Sequence, residues 1–168
     1  DTFRETDTDL VTVNPLDIEG YEQKLARHRA KTGENESSVV GMAELGGHPI
    51  SIGITDPFFT VGSMGSVTGE KIARCVEHAR ENDCPCILIS GSGAGARMEE
   101  GILSLMQMAK TSAVIERMHG EGIPYVSVLT DPIYGGVSAS LALLGDLNIA
   151  EPEARAGFAG PNIIEQTI

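Results

Sequence analysis

The chain has 168 residues, 41% of them hydrophobic, 4% aromatic and none Trp, with 20 glycines, which is the size and apolar content of one domain with an aliphatic core. Its 24 acidic against 12 basic side chains leave a net charge of -12, which repels phosphate backbones and anionic lipid, so neither a nucleic acid nor a membrane partner is expected. No apolar run of about 18 residues is present to span a bilayer, no signal peptide is visible, and the unpaired set Cys75, Cys84 and Cys86 points to reduced, buried thiols in a cytoplasmic protein.

An anionic ligand can still bind such a chain where a few Lys or Arg, or free main-chain amides, gather locally. The four histidines (His28, His48, His78, His119) show no metal-ligand spacing with the cysteines, so no metal site is expected in this stretch.

Residues 1–18 read as polar and irregular, with Asn14-Pro15 as a turn signal. The charged stretch 20–31 predicts a surface helix ended near Gly33. Two apolar runs, 39–45 and 49–54, joined by Gly46-Gly47, predict an antiparallel hairpin. Over 66–82, Ile72, Cys75, Val76 and Ala79 fall on one helical face. The short run 87–89, between Pro85 and a glycine cluster, predicts a buried strand.

A helix beginning near Met98 carries Ile102, Leu103, Leu105, Met106, Met108 and Ala109 and is apolar nearly all round, so it needs cover on several sides. After a stop at Gly120 the plan repeats, with a strand over 125–129, a turn over 131–136, a short helix over 137–144 and a strand over 147–150. Alternating strands and helices predict an α/β architecture with a largely parallel sheet.

Both strand-to-helix turns are rich in Gly and Ala: Ser90-Gly91-Ser92-Gly93-Ala94-Gly95-Ala96-Arg97 and Thr130-Asp131-Pro132-Ile133-Tyr134-Gly135-Gly136. Residues without bulk let a ligand reach the main chain, and amides at a helix start lack intrahelical acceptors. Two adjacent amides of that kind form an oxyanion hole, in which one donor is worth about 3–4 kcal/mol to a developing negative oxygen. Close helix–sheet packing asks for the same glycines, so the pattern alone leaves both readings open. Arg97 and Lys71 have an ion-paired reading beside any ligand-binding one. No nucleophile elbow, phosphate-loop lysine or paired-histidine helix occurs, and the first glycine turn does not fit the dinucleotide spacing.

The stretches Gly62-Ser63-Met64-Gly65-Ser66-Val67, Gly95-Ala96-Arg97-Met98-Glu99-Glu100 and Leu103-Ser104-Leu105-Met106-Gln107-Met108-Ala109-Lys110-Thr111-Ser112-Ala113 occur in that order. Pro124-Tyr125-Val126-Ser127-Val128-Leu129-Thr130-Asp131-Pro132, Gly135-Gly136-Val137-Ser138-Ala139-Ser140 and Gly157-Phe158-Ala159-Gly160-Pro161 follow them. Together they closely resemble the carboxyltransferase beta subunits of bacterial-type acetyl-CoA carboxylase, from the first residues of the chain to the last.

The resemblance implies a crotonase-like α/β fold of stacked ββα units, with residues 1–168 as a single domain incomplete at its carboxyl end. It implies transfer of a carboxyl group from carboxybiotin to acetyl-CoA, giving malonyl-CoA for fatty acid biosynthesis. The implied partners are a carboxyltransferase alpha subunit in an alpha2beta2 complex, the biotin carboxyl carrier protein that carries the biotin, and biotin carboxylase. Carried over residue by residue, Gly135 and Gly136 are expected to offer oxyanion-hole amides, and Gly93, Ala94, Gly95, Ala96, Arg97, Met64 and Gly65 to lie where substrate binds.

Three departures stand out. The family's first glycine turn reads Ser-Gly-Gly-Ala-Arg, whereas Ser92-Gly93-Ala94-Gly95-Ala96-Arg97 is one residue longer. Val61 stands where the family has the first glycine of a pair. The family's amino-terminal zinc ribbon of four cysteines, the zinc that it holds and the carboxy-terminal region lie outside this stretch. Related chemistry on another acyl-CoA, and a non-catalytic CoA-binding scaffold of the same fold, are the competing readings.

Overall fold

The structure is a computed structural model and describes residues 2–92 and 94–167. Strand β1 (Arg4–Thr6) and helix α1 (Tyr21–Thr32) lead into the hairpin of β2 (Ser38–Leu45) and β3 (His48–Thr55). Its tip is Gly46-Gly47 at φ 61° and 84°, the two positive values that a tight primed turn requires and glycine supplies without strain.

A 3-10 turn (Thr60–Gly62), α2 (Ser66–Glu81), β4 (Cys86–Ser92), a second 3-10 turn (Met98–Glu100) and α3 (Ile102–Gly120) follow. Then come β5 (Tyr125–Ile133), α4 (Gly135–Val137) running into a π-helical turn (Ser138–Ala142), β6 (Leu147–Ala150) and α5 (Pro161–Thr167).

One six-stranded sheet takes the strands in chain order. β1, β2 and β3 pair antiparallel, and β3 through β6 pair parallel. The sheet is therefore mixed rather than largely parallel. Part of the difference is β1, whose three residues lie inside the stretch read as irregular and add to the edge with Arg4 opposite Met42. So short a strand carries no usable alternation of apolar and polar residues.

α2 buries Ile72, Cys75, Val76 and Ala79, the face that its 3.6-residue period predicts. They join Val40, Leu88, Ile115, Met118, Tyr125 and Leu141 in the main core. Tyr21, Leu25 and Phe59 form a smaller cluster under α1. Cys75, Cys84 and Cys86 are free and buried.

The first half of α3 is turned the unusual way round. Gly101 at φ 53° separates it from the 3-10 turn, so the helix starts at Ile102 rather than near Met98. Its buried residues there are Ser104, Gln107 and Thr111, while Ile102, Leu105 and Met106 are more than half exposed. The buried polar groups find acceptors close by: Ser104 Oγ donates to the Arg97 carbonyl at 2.6 Å and Gln107 Nε2 to the Leu103 carbonyl at 2.9 Å. These bonds offset part of the cost of burial, although Gln107 Oε1 is left without a partner, and an apolar face is turned outward. No helix among the described residues is long and apolar enough to cross a membrane.

Candidate active site

β4 and β5 are parallel neighbours, so the turns that follow them emerge at the same sheet edge, where open α/β sheets place their ligands. The register shifts between Ser90 and Ser92 and brings Ser92 opposite Ile133. The Tyr134 amide then donates to the Ser92 carbonyl at 3.0 Å. The strand continues through Ile133, so the turn expected over 131–136 is reduced to Tyr134.

The two glycine-rich turns touch main chain to main chain. A Cβ placed on Gly95 would stand 2.8 Å from the Gly136 nitrogen and 3.0 Å from the Gly135 Cα, and one on Gly135 would stand 3.1 Å from the Gly95 Cα. Both Gly95 and Gly135 have φ 64°. Only glycine meets the left-handed backbone and the close approach together.

The expected donor pair, Gly135 and Gly136, is not equivalent in the structure. The Gly135 amide donates to the Phe158 carbonyl at 2.9 Å, so it serves to hold the Gly157–Pro161 words of the sequence against the second turn. That segment is fixed further by Gly157 N–H on the Ile133 carbonyl at 3.0 Å and by Ser138 Oγ on the Gly157 carbonyl at 2.9 Å. The Gly136 amide has no acceptor among the described residues.

A second such amide belongs to the other turn. Met64 N–H donates to the Gly95 carbonyl at 2.8 Å and Arg97 N–H to the Met64 carbonyl at 2.9 Å. These bonds bracket Ala96 in a short parallel bridge and leave its own amide without an acceptor among the described residues. The Ala96 nitrogen lies 3.4 Å from the Cβ position of Gly136. The unpaired amides of Ala96 and Gly136 thus come one from each turn, an arrangement that reading the turns separately did not anticipate.

Two clefts flank Ala94. One, of about 580 Å³, is walled by Ala94, Tyr134, Gly135, Arg155, Phe158 and Pro161. The other, of about 430 Å³, is walled by Ile18, Lys24, Val61, Ala94, Ala96 and Met98, with Glu99 at its rim. Ala94 is exposed and shared by both. Beside the first cleft Arg155 grips Asp131 at 2.8 and 2.9 Å, and the hydrogen bonds from Arg155 pull the Asp131 carboxyl down to about 2. Among the described residues no group of three or more His, Cys, Asp or Glu is placed to hold a metal ion.

Four of the expected substrate residues, Met64, Gly65, Gly95 and Arg97, are buried. Met64 is sealed and Gly65 is buried, and a Cβ on Gly65 would collide with Glu100 Oε1 at 2.4 Å and Arg97 Nη1 at 2.7 Å. The Arg97 guanidinium is fully buried and spends its donors on Glu36, Ser37, Ser63 and Glu100. Its donors are taken up inside the chain, which holds the turn, and the residue also lines the smaller cleft. Tyr21 joins the same network through Glu100 at 3.0 Å, and burial pushes its hydroxyl up to about 12. Gly93 lies outside the described residues.

Comparison with known proteins follows the same outline. The family model described as "Carboxyl transferase domain" matches residues 9–168. The acetyl-coenzyme A carboxylase carboxyl transferase subunit beta of Desulforamulus reducens is 53% identical over 99% of this chain and 58% of its own length. A Pseudomonas malonate decarboxylase hetero-tetramer, solved with malonate, contains a chain with TM-score 0.77 and 29% identity over 98% of this chain and 59% of that one. Transcarboxylase 12S superposes with TM-score 0.83 over 99% of this chain and 30% of that one, at 24% identity, a likeness of fold. The fold is the crotonase-like one shared by such carboxyltransferases. The chain spans a little over half the length of the curated relatives that it matches.

Proposed function

This chain belongs to the carboxyl transferase domain family, and from that premise we propose that it forms the beta-subunit side of an acetyl-CoA carboxylase carboxyltransferase site. The reaction is transfer of a carboxyl group from carboxybiotin to acetyl-CoA, giving malonyl-CoA. The observation that carries this reading is the pair of unpaired amides, Ala96 and Gly136, that meet where the two glycine turns touch.

Carboxybiotin, brought by a carrier protein, would supply the carboxyl group and a ureido nitrogen able to act as base. A cleft walled by Ala94, Tyr134, Gly135 and Phe158, without Lys, Cys, His or Ser among its lining residues, suits a group that brings its own base. The contribution of this chain is electrostatic. When the acetyl methyl loses its proton, charge develops on the thioester oxygen, and main-chain N–H groups held rigid beforehand stabilise it without reorganising. Gly95 and Gly135 keep the turns close enough for those donors to converge. Gly135 also ties down the Phe158 segment, which lines the larger cleft.

The outward apolar face of α3, with Ile102, Leu105 and Met106, supports assembly with a second subunit. We place the carboxyltransferase alpha subunit there, in an alpha2beta2 enzyme served by biotin carboxyl carrier protein and biotin carboxylase in the cytoplasm. The direct experiment combines the full-length protein with an alpha subunit, carboxybiotin and acetyl-CoA and measures malonyl-CoA. Turnover is expected. A well-formed complex without turnover would favour a non-catalytic scaffold, and faster turnover of propionyl-CoA would move the substrate to another acyl group.

A further inference from the structure

On a chain this acidic, nearly every base is already engaged. Of the 12 Lys and Arg side chains, only Arg4, Arg27, Arg29 and Lys31 lack a carboxylate within 4.0 Å among the described residues. Three of these four lie on α1. Arg29 turns inward to the Thr12 carbonyl, while Arg27 and Lys31 are exposed. Lys24, Arg27, His28 and Lys31 stand at positions i, i+3, i+4 and i+7 and so share one face of the helix.

That face adjoins the smaller cleft. Lys24 lines it, held by Glu99 at 2.5 Å across its rim, and the cleft continues from Lys24 to Ala94 and Ala96. Beside the basic face stand the exposed Phe58 and Val61; Lys31 Nζ lies 5.0 Å from the centre of the Phe58 ring, and His28 Nδ1 is 3.1 Å from the Phe58 carbonyl. From Lys24 to Lys31 the face runs about 10 Å, at about 1.5 Å per residue.

We propose that the basic face of α1, Lys24, Arg27, His28 and Lys31, receives the phosphates of the coenzyme A thioester. Its pantetheine arm then follows the Val61–Ala94 cleft to the Ala96 amide. The inference rests on the reading of the site as one for an acyl-CoA and adds where the nucleotide end lies. Two unneutralised cations beside a largely apolar cleft that is lined in part by the candidate donor residue Ala96 match a ligand with an anionic head and a neutral arm. The acidic remainder of the surface offers such a ligand little else.

The test uses the complete carboxyltransferase assembly carrying Arg27→Glu with Lys31→Glu, assayed with acetyl-CoA and with acetyl-pantetheine, which has no phosphate. Arg117→Glu, on an exposed position of α3, carries half the double variant's change in net charge at a distant site and reports the general effect of added negative charge. The KM for acetyl-CoA should rise about tenfold in the double variant, with kcat held, and salt should narrow the difference. Acetyl-pantetheine should not distinguish variant from wild type. An unchanged KM for acetyl-CoA, an equal rise with acetyl-pantetheine or with Arg117→Glu, or a rise confined to the biotin carrier would each overturn the inference while leaving the carboxyltransferase reading intact. Failure of the wild-type assembly to use acetyl-CoA would overturn that reading instead, and titration of CoA onto wild type and variant would then decide the phosphate site by itself.

Discussion

Glu36 and Arg97 form a two-pronged ion pair sealed from solvent on both sides, with Nη1 to Oε2 at 2.9 Å and Nη2 to Oε1 at 2.5 Å. Glu36 precedes β2 and Arg97 closes the first glycine turn, so the pair ties the strand region to the Ala94–Ala96 main chain. Removing one partner leaves the other charge buried and uncompensated. Glu36→Ala or Arg97→Met alone should each cost about 3–5 kcal/mol, and the double variant should cost well under their sum. Urea denaturation of the four proteins measures this, and strict additivity would show that the two charges do not depend on each other.

Gly95→Ala places its Cβ 2.8 Å from the Gly136 nitrogen at a left-handed φ. Gly33 has φ 80° and nothing within 4 Å of its Cβ position, so Gly33→Ala pays only the backbone strain, about 1 kcal/mol. Gly95→Ala should lose both stability and turnover, the turnover by about 100-fold. Equal activities in the two variants would refute the idea that contact between the turns sets the donors.

Gly136→Val tests access to the donor, since valine keeps the main-chain N–H and adds bulk beside it. A Cβ there would meet Met108 Sδ at 3.1 Å and Cγ at 3.3 Å, the flexible part of a side chain that can shift a few tenths of an ångström. The fold should persist with a loss of about 1–3 kcal/mol, while malonyl-CoA formation falls about 100- to 1,000-fold. Wild-type turnover in this variant would remove Gly136 from the site.

Val61 is a β-branched residue at φ 58°, between Thr60 at φ 45° and Gly62 at φ 68°. Left-handed backbone costs such a residue about 1–2 kcal/mol, and the extra freedom that glycine gives the unfolded chain returns part of that. Val61→Gly should therefore raise stability by about 0.5–1 kcal/mol in thermal unfolding. A loss would mean that the exposed valine makes compensating contacts.

Burial raises the Glu100 carboxyl, but the hydrogen bonds from the Ser66 hydroxyl and amide and the Arg97 charge outweigh it, and the group sits below its ordinary value of 4.5. A carboxylate depressed in the folded state contributes stability above its unfolded value, and that contribution is lost as pH falls toward the folded one. Glu100→Gln should lower stability at pH 7 and flatten its decline below about pH 4.5. Parallel pH–stability curves for wild type and variant would contradict the assignment.

Although the outward orientation of Ile102, Leu105 and Met106 was not legible in the residues themselves, the apolar character of α3 and the glycine-rich turns were, as were the hairpin at Gly46-Gly47 and the buried stripe of α2. All of these rest on preferences within four or five neighbours along the chain, such as the helical period and the positive φ that a tight turn requires. The family wording around Met106 and Gly135 reached further, to the fold and the reaction class, because it is specific across the whole stretch.

Tertiary structure alone decided which amides are free and which bases are spent. The Gly135 donor is taken by the Phe158 carbonyl, the Ala96 amide is left open by bridge bonds on either side of it, and Arg97 is consumed by Glu36. Each depends on groups distant in sequence: parallel β4 and β5 bring the two glycine turns to one edge, and the Met64 and Glu36 segments close on the first of them. Hydrogen-bonding capacity is a property of every residue type, but its occupancy depends on what the folded chain places within 3 Å, and no local pattern records that.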